Sequence, residues 1–340
     1  MKSRALWILV ATISTLLYGG HPVLLKLSAV DGKIRYHPSA IVLCAELGKL
    51  AISLILLWLE DVALWPRSGS VLQPTSSSAS PVRLHTSSVM TLVKCCVPAA
   101  LYTLNNNIAV HSQHWLDPVS IQVLGNLKIV ATVVVYKLML HRNIGKQKLL
   151  AIGCILVAGI LNGLAGQYAG NATGEDEALV TVRVTVVGVC MMLVLSVSSA
   201  IAAVFTEKLL KHEKGGIHFL NVCLYGSGVM MNSATVAMEL AGEETQLEGG
   251  VHALLASIVK GFTPICWFIV LCQVASGLLM SVVLKYAGNL LRLMIIACAV
   301  LVNVLASVLI FSLHIPQLLL FALPILVLGL ALYTADRKPS

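Results

Sequence analysis

Charge is the scarcest commodity in this chain. Asp, Glu, Lys and Arg make up only 11% of 340 residues, against about 25% in a soluble domain. A large solvated surface is therefore excluded. The sequence also lacks the alternation of apolar and polar residues that marks a transmembrane barrel. None of its nine cysteines forms a Cys-x-x-Cys pair, so neither a zinc ribbon nor a disulfide framework is expected. P-loop, zincin, nucleophile-elbow and paired-carboxylate patterns are missing. No catalytic residue, metal ligand or cofactor is therefore assigned, and an enzyme is not expected. The net charge of +8 is scattered over several loops, with no basic domain, which argues against nucleic acid as a partner.

What the chain has instead is long apolar runs. Hydrophobic residues reach 58% and the mean hydropathy is +0.89. Runs of about 20 apolar residues are long enough to cross a bilayer as helices. Ten such spans are expected at 6–27, 39–59, 88–111, 118–139, 148–166, 184–208, 217–239, 263–285, 290–312 and 316–334. The first follows Met-Lys-Ser-Arg, but its apolar stretch is longer than a signal-peptide core of about 7–15 residues. It is read as a membrane span. Residues 251–260 fit a short interfacial helix. The expected fold is an all-α membrane protein of about ten transmembrane helices in one domain, residues 1–340.

Lys and Arg orient the spans. With the N-terminus in the cytosol, 16 of them fall on the cytosolic side, 5 on the lumenal side and 2 within spans. That bias satisfies the positive-inside rule and places both termini in the cytosol. The acidic loops at Glu175-Asp-Glu177 and Glu243-Glu244 then face the lumen, as does the sequon at Asn171. The Ser/Pro-rich loop 60–87 reads as a flexible cytosolic linker. Ten spans with both ends on one side divide into two five-span halves of opposite topology, about 1–166 and 184–334.

Against this apolar background, a few polar residues stand out. Lys128 sits inside the fourth span, where a charge costs about 2.5–3.5 kcal/mol. Such residues usually face a partner or a wet cavity. Asn105, Asn106 and Asn107 occupy nearly one turn of the third span. Three consecutive amides cannot all glue one neighbouring helix, so at least one is expected to line a cavity. Glu46 and Lys49, at i, i+3, form either a self-neutralising pair or a gating pair. Ser199 lies in the small-residue stretch 196–203, which admits a neighbouring helix or a ligand. Asn221 and Tyr225, one turn apart, with Ser227 beside them, offer donors and acceptors suited to a nucleobase edge. Lys285 reads as a snorkelling anchor or as a second cation at the mouth of a phosphate pocket. His111 and His114 have no third partner for a metal. An anionic solute rich in hydrogen-bonding groups fits this set.

These residues fall into ordered motifs. They are Tyr102 with Asn106-Asn107; Gln122-Val123 with Lys128-Ile129; Glu207-Lys208 with Lys211; Asn221, Tyr225, Ser227 and Gly228; and Ser281, Lys285, Tyr286 and Asn289. In them the chain resembles the nucleotide-sugar transporter family. The likeness is to the subfamily of CMP-sialic acid, UDP-galactose and UDP-N-acetylglucosamine transporters, and particularly to its probable UDP-sugar transporter branch. The resemblance implies a drug/metabolite-transporter-like fold in the Golgi membrane. It implies exchange of a cytosolic pyrimidine nucleotide sugar for lumenal nucleoside monophosphate. It also implies base contacts from the sixth and seventh spans, ribose contacts from the third-span amides, and phosphate contacts from Lys128 and Lys285. A homo- or hetero-oligomer with related transporters is compatible with it. The chain departs from the family pattern at Ile121, Ala200, Phe205 and Met280. Those changes keep open a second class, a non-transporting membrane scaffold on the same fold; the retained lysines favour transport.

Overall fold

The computed structural model describes residues 2–28, 35–64, 86–112, 115–116, 118–140, 145–171, 185–213, 216–242, 256–311 and 317–335. Among these residues there is no β-strand. The long helices are α1 (Lys2–Ser28), α2 (Pro38–Leu64), α3 (Thr86–Ser112), α4 (Pro118–Gly125), α5 (Leu127–Leu140), α6 (Lys146–Asn171), α7 (Val186–His212), α8 (Ile217–Gly242), α9 (Pro264–Tyr286), α10 (Asn289–Phe311) and α11 (Gln317–Ala335). Each expected span has a helical counterpart. Four stretches within these helices are long and apolar enough to cross a membrane by length and composition: Ala5–Ser28, Pro38–Glu60, Val186–His212 and Pro264–Tyr286. Asn289–Asn303 and Leu320–Gly329 are shorter apolar segments. The interfacial segment expected at 251–260 is only partly described, with helix confined to 256–258.

The outer surface identifies the surrounding medium. Leu6, Trp58, Leu138, Met238 and Leu309 are all more than half exposed. Apolar side chains facing outward from several helices suit lipid, where they would aggregate in water. This is a membrane protein.

One expected span differs in form. Residues 118–139 are divided at Asn126 into α4 and α5, joined by a turn in which Ile129 N–H donates to Asn126 C=O at 3.0 Å. Gly125 and Asn126 are both weak helix formers. A methyl at Gly159 would lie 2.6 Å from Asn126 Oδ1, so α6 leaves room there for the amide. Broken helices inside a membrane are tolerated where the freed backbone lies within protein or along a cavity.

Small residues allow the closest crossings. A Cβ at Gly19 would meet Ala299 C=O and Val302 Cβ, both at 2.5 Å, so α1 and α10 touch nearly backbone to backbone. Gly329 does the same for α11 against Ala151 and Cys154 of α6. The most extensive pairings are α6 with α11, α2 with α8, α1 with α10, α3 with α7, α5 with α7, α3 with α8, α1 with α9, and α2 with α9. Between them, α2, α3, α7, α8, α9 and the start of α10 enclose a central cavity.

Candidate functional site

The central cavity has a volume of about 220 Å³. Each helix contributes to it through one stripe. On α8 the stripe is Tyr225, Gly228 and Asn232; on α9 it is Gly277, Met280, Ser281 and Leu284. Both follow the i, i+3, i+4, i+7 spacing of one helix face. Pro98 lies on the α3 wall. It cannot donate to the carbonyl one turn back, which loosens the helix locally.

The charged lining residues come from two helices, α2 and α10. Glu46 and Lys49 of α2 form an ion pair at 2.6 Å, with side chains 17% and 13% exposed. Lys49 Nζ lies 4.9 Å from the centre of the Tyr225 ring. The pair fits because two glycines face it. A methyl at Gly228 would lie 2.8 Å from Glu46 Oε2, and one at Gly277 would lie 2.6 Å from Lys49 Cδ. Facing the cavity from α10 is Arg292, between the phenols of Tyr18 and Tyr102. Its Nε is buried without a hydrogen-bond partner. With Glu46 and Lys49 cancelling, the described lining residues carry one net positive charge. In a site of low dielectric, that charge acts more strongly on an anion than it would in water.

A second network lies at the start of α10, just before Arg292. Glu207 of α7 is completely buried, pairs with Lys211 at 2.6 Å, and accepts the Asn289 N–H at 2.8 Å. It thus caps the N-terminus of α10, where a carboxylate satisfies free N–H groups and the helix dipole. Gly288 has φ +93°, and a Cβ there would sit 2.8 Å from Glu207 Oε1. Arg292 is one turn further along this helix.

The expected site residues divide into those that line the cavity and those that support it. Tyr225 lines it, its hydroxyl donating to Gly277 C=O at 3.1 Å. Asn221 is buried behind it and accepts a hydrogen bond from Ser281, which does line the cavity. Ser227 is buried and donates to Cys223 C=O within its own helix at 2.8 Å. Asn105 accepts from Ser198 of α7, leaving Nδ2 buried and unpartnered. Its resolved bond is inter-helix glue. The side chains of Asn106 and Asn107 lie outside the described residues. Ser199 is half-buried and is not part of the lining.

The two expected lysines are not brought together. Lys128 lines a separate, mainly apolar cavity of about 120 Å³ between α5, α6, α10 and α11. It is nevertheless near enough to Arg292 for their like charges to interact. Lys285 is on the last turn of α9, off its cavity face, with Nζ 5.9 Å from the centre of the Tyr286 ring. The cation that sequence reasoning passes over is Arg292, which stands only two residues inside the ninth expected span, 290–312, and so reads as a charge at a span end. Its signal was the match between Asn126-Leu-Lys128 and Asn289-Leu-Leu-Arg292 in the fourth and ninth spans.

A family model described as nucleotide-sugar transporter matches residues 2–334. The chain belongs to the nucleotide-sugar transporter family. It is similar to a Xenopus tropicalis protein named "Probable UDP-sugar transporter protein SLC35A4", 34% identical over 330 residues, which span 97% of this chain and 92% of that protein. Proteins of the same name from Danio rerio and Homo sapiens are 32% and 30% identical, over 97% and 98% of this chain and 93% and 95% of theirs. A solved crystal structure superposes with a TM-score of 0.56 over 96% of both chains at 13% identity, a likeness of fold alone. As a nucleotide-sugar transporter, the protein moves its ligand rather than transforming it. The chemistry to explain is therefore binding and release by the cavity.

Proposed function

We propose that this nucleotide-sugar transporter carries a pyrimidine nucleotide sugar, UDP- or CMP-linked, from the cytosol into the Golgi lumen in exchange for nucleoside monophosphate. The observation that carries this reading is the cavity itself. It pairs one uncompensated cation, Arg292, with a polar face of Tyr225 and Ser281. The guanidinium suits a phosphate, which it can hold through two parallel hydrogen bonds. Lys128 adds to the positive potential from the neighbouring cavity, and Lys285 attracts the anion at the cytosolic mouth. Asn221 orients Ser281, so Tyr225 and Ser281 read the base; roles for Ser199, Asn105 and Asn106 at the ring and ribose rest on the family resemblance alone.

Alternating access fits the pairing of helices. Number the spans one to ten, with α4 and α5 together as the fourth. The eight pairings then map onto themselves when each span of the first half is exchanged with its counterpart in the second. First-with-ninth becomes sixth-with-fourth, and third-with-seventh becomes eighth-with-second. That supports two inverted halves, 1–166 and 184–334, rocking about a central site. The Lys and Arg bias supports cytosolic termini.

Pyrimidine selection is expected because a site whose buried polar groups would be left unpaired rejects the wrong ligand. In competition binding to purified protein, UMP and CMP should displace a labelled pyrimidine nucleotide far better than GMP or AMP. Asn221→Ala should narrow the gap by freeing Ser281. GMP binding as tight as UMP and CMP contradicts the base reading. Binding of none of them favours the scaffold.

A further inference from the structure

The smaller cavity, between α5, α6, α10 and α11, has a chemistry of its own. Its volume is about 120 Å³, and its walls are apolar, among them Ile129, Ile155, Leu293, Ala322 and Leu326. Asn126 and Lys128 are the polar side chains of its described lining. Lys128 stands deep among the helices, yet its side chain keeps accessible surface and lines this cavity. Among the described residues no carboxylate or other acceptor pairs with its ammonium. The charge that acts on it is Arg292, of the same sign. The break at Asn126 adds to the imbalance. There α5 starts inside the fourth span, so the positive end of its dipole lies beside Lys128. Half-helix N-termini at membrane depth suit anionic groups.

We infer that this cavity is a binding site for a small monocarboxylate with a short alkyl or aryl body, and that its occupancy weakens nucleotide binding in the central cavity. The carboxylate pairs with Lys128 at the start of α5, and the body packs on the apolar walls. An anion here offsets a charge that is costly to leave unpaired at membrane depth. Size and polarity set the class. An apolar cavity of about 150 Å³ takes a benzene-sized ligand, so about 120 Å³ suits a short acid and not a nucleotide. A sugar would lose water to walls that offer few partners for its hydroxyls. A neutral alkyl body would leave Lys128 unpaired. The coupling follows from charge: a carboxylate on Lys128 cancels its contribution to the potential at Arg292. Coupling is reciprocal, so a bound nucleotide weakens the acid in turn. The coupling rests on the nucleotide reading above; the site does not.

The test is equilibrium dialysis of the full-length protein in detergent against matched protein-free micelles, with radiolabelled hexanoate as the probe. Wild-type protein should bind hexanoate saturably. Hexanol, which lacks the charge, should compete at least about tenfold less well, the scale of one charge-assisted hydrogen bond. Acetate and inorganic phosphate, which lack the body, should also compete at least about tenfold less well, because each buried methylene contributes. Lys128→Met should weaken hexanoate at least about tenfold and should melt no lower than wild type, since it removes a cation without a partner. Ala322→Leu fills the cavity and keeps the lysine; it should lose hexanoate binding and retain UMP binding. Saturating hexanoate should weaken UMP about fivefold in wild type and leave it unchanged in Lys128→Met. Absence of saturable binding, competition by hexanol equal to that of hexanoate, or unchanged hexanoate binding in Ala322→Leu overturns the site. A lower melting temperature for Lys128→Met gives the lysine a structural partner and overturns it too. Unchanged wild-type UMP affinity in hexanoate overturns the coupling alone. Failure of wild-type protein to bind UMP while it still binds hexanoate overturns the nucleotide-sugar reading and leaves the site standing.

Discussion

Arg292→Ala is expected to reduce uptake of the nucleotide sugar by about 10- to 150-fold, with abundance near wild type. A charge-assisted hydrogen bond contributes about 1.5–3 kcal/mol, which gives that range. Arg292 is the cavity's one cation without a carboxylate partner among the described residues, because Lys49 is held by Glu46. Arg292→Lys should recover only part of the loss. A lysine keeps the charge but loses the planar fork that grips two phosphate oxygens. Folding should survive both changes, since the tyrosines beside Arg292 can turn to one another or to water in the emptied space. Lys285→Ala should have a smaller effect than Arg292→Ala, because Lys285 lies off the cavity face of α9. Uptake by Arg292→Ala at the wild-type rate, measured in vesicles with matched protein amounts, contradicts the phosphate assignment.

Lys211→Ala should cost stability rather than affinity. Glu207 is 0% exposed and has Lys211 as its counter-ion. Removing one partner of a buried pair costs about 3–5 kcal/mol, because the remaining charge is left uncompensated. The loss should appear as a lower melting temperature in detergent and as a smaller monodisperse fraction on size exclusion. Since Glu207 also caps α10, the register of Arg292 should loosen and binding weaken secondarily. The double variant Glu207→Gln, Lys211→Met should be milder than Lys211→Ala. It removes both charges and keeps an amide oxygen for the Asn289 N–H. A Lys211→Ala protein that melts with wild type contradicts the capping role.

Much of the fold can be read from hydropathy, because lipid imposes one rule: every backbone group must be bonded within the segment. The helix ends expected at 39, 217 and 290 fall within one residue of Pro38, Ile217 and Asn289. The division of the fourth span is subtler. Gly125-Asn126 is a weak signal within an apolar run, and it needs the space opposite, at Gly159, to be realised. Site residues were legible as a set but not in their roles. Asn221 and Ser227 have the right chemistry for a ligand, yet their side chains satisfy Ser281 and Cys223 instead. Lys285 and Arg292 each stand close to a helix end in sequence. Only the rotation of α9 and α10 about their axes separates the lysine from the lining arginine. Glu207-Lys208 with Lys211 was readable as a motif, but its capping of α10 depends on Gly288 placing two helices end to side.

Exchange in reconstituted liposomes tests the central claim most directly. Vesicles carrying the purified protein are loaded with UMP, with CMP or with buffer, and offered a panel of labelled nucleotide sugars outside. The account predicts saturable uptake of at least one pyrimidine nucleotide sugar, faster into nucleotide-loaded than into empty vesicles, and lost in Arg292→Ala. Uptake of no member of the panel above protein-free vesicles, by protein that is folded and correctly inserted, contradicts it.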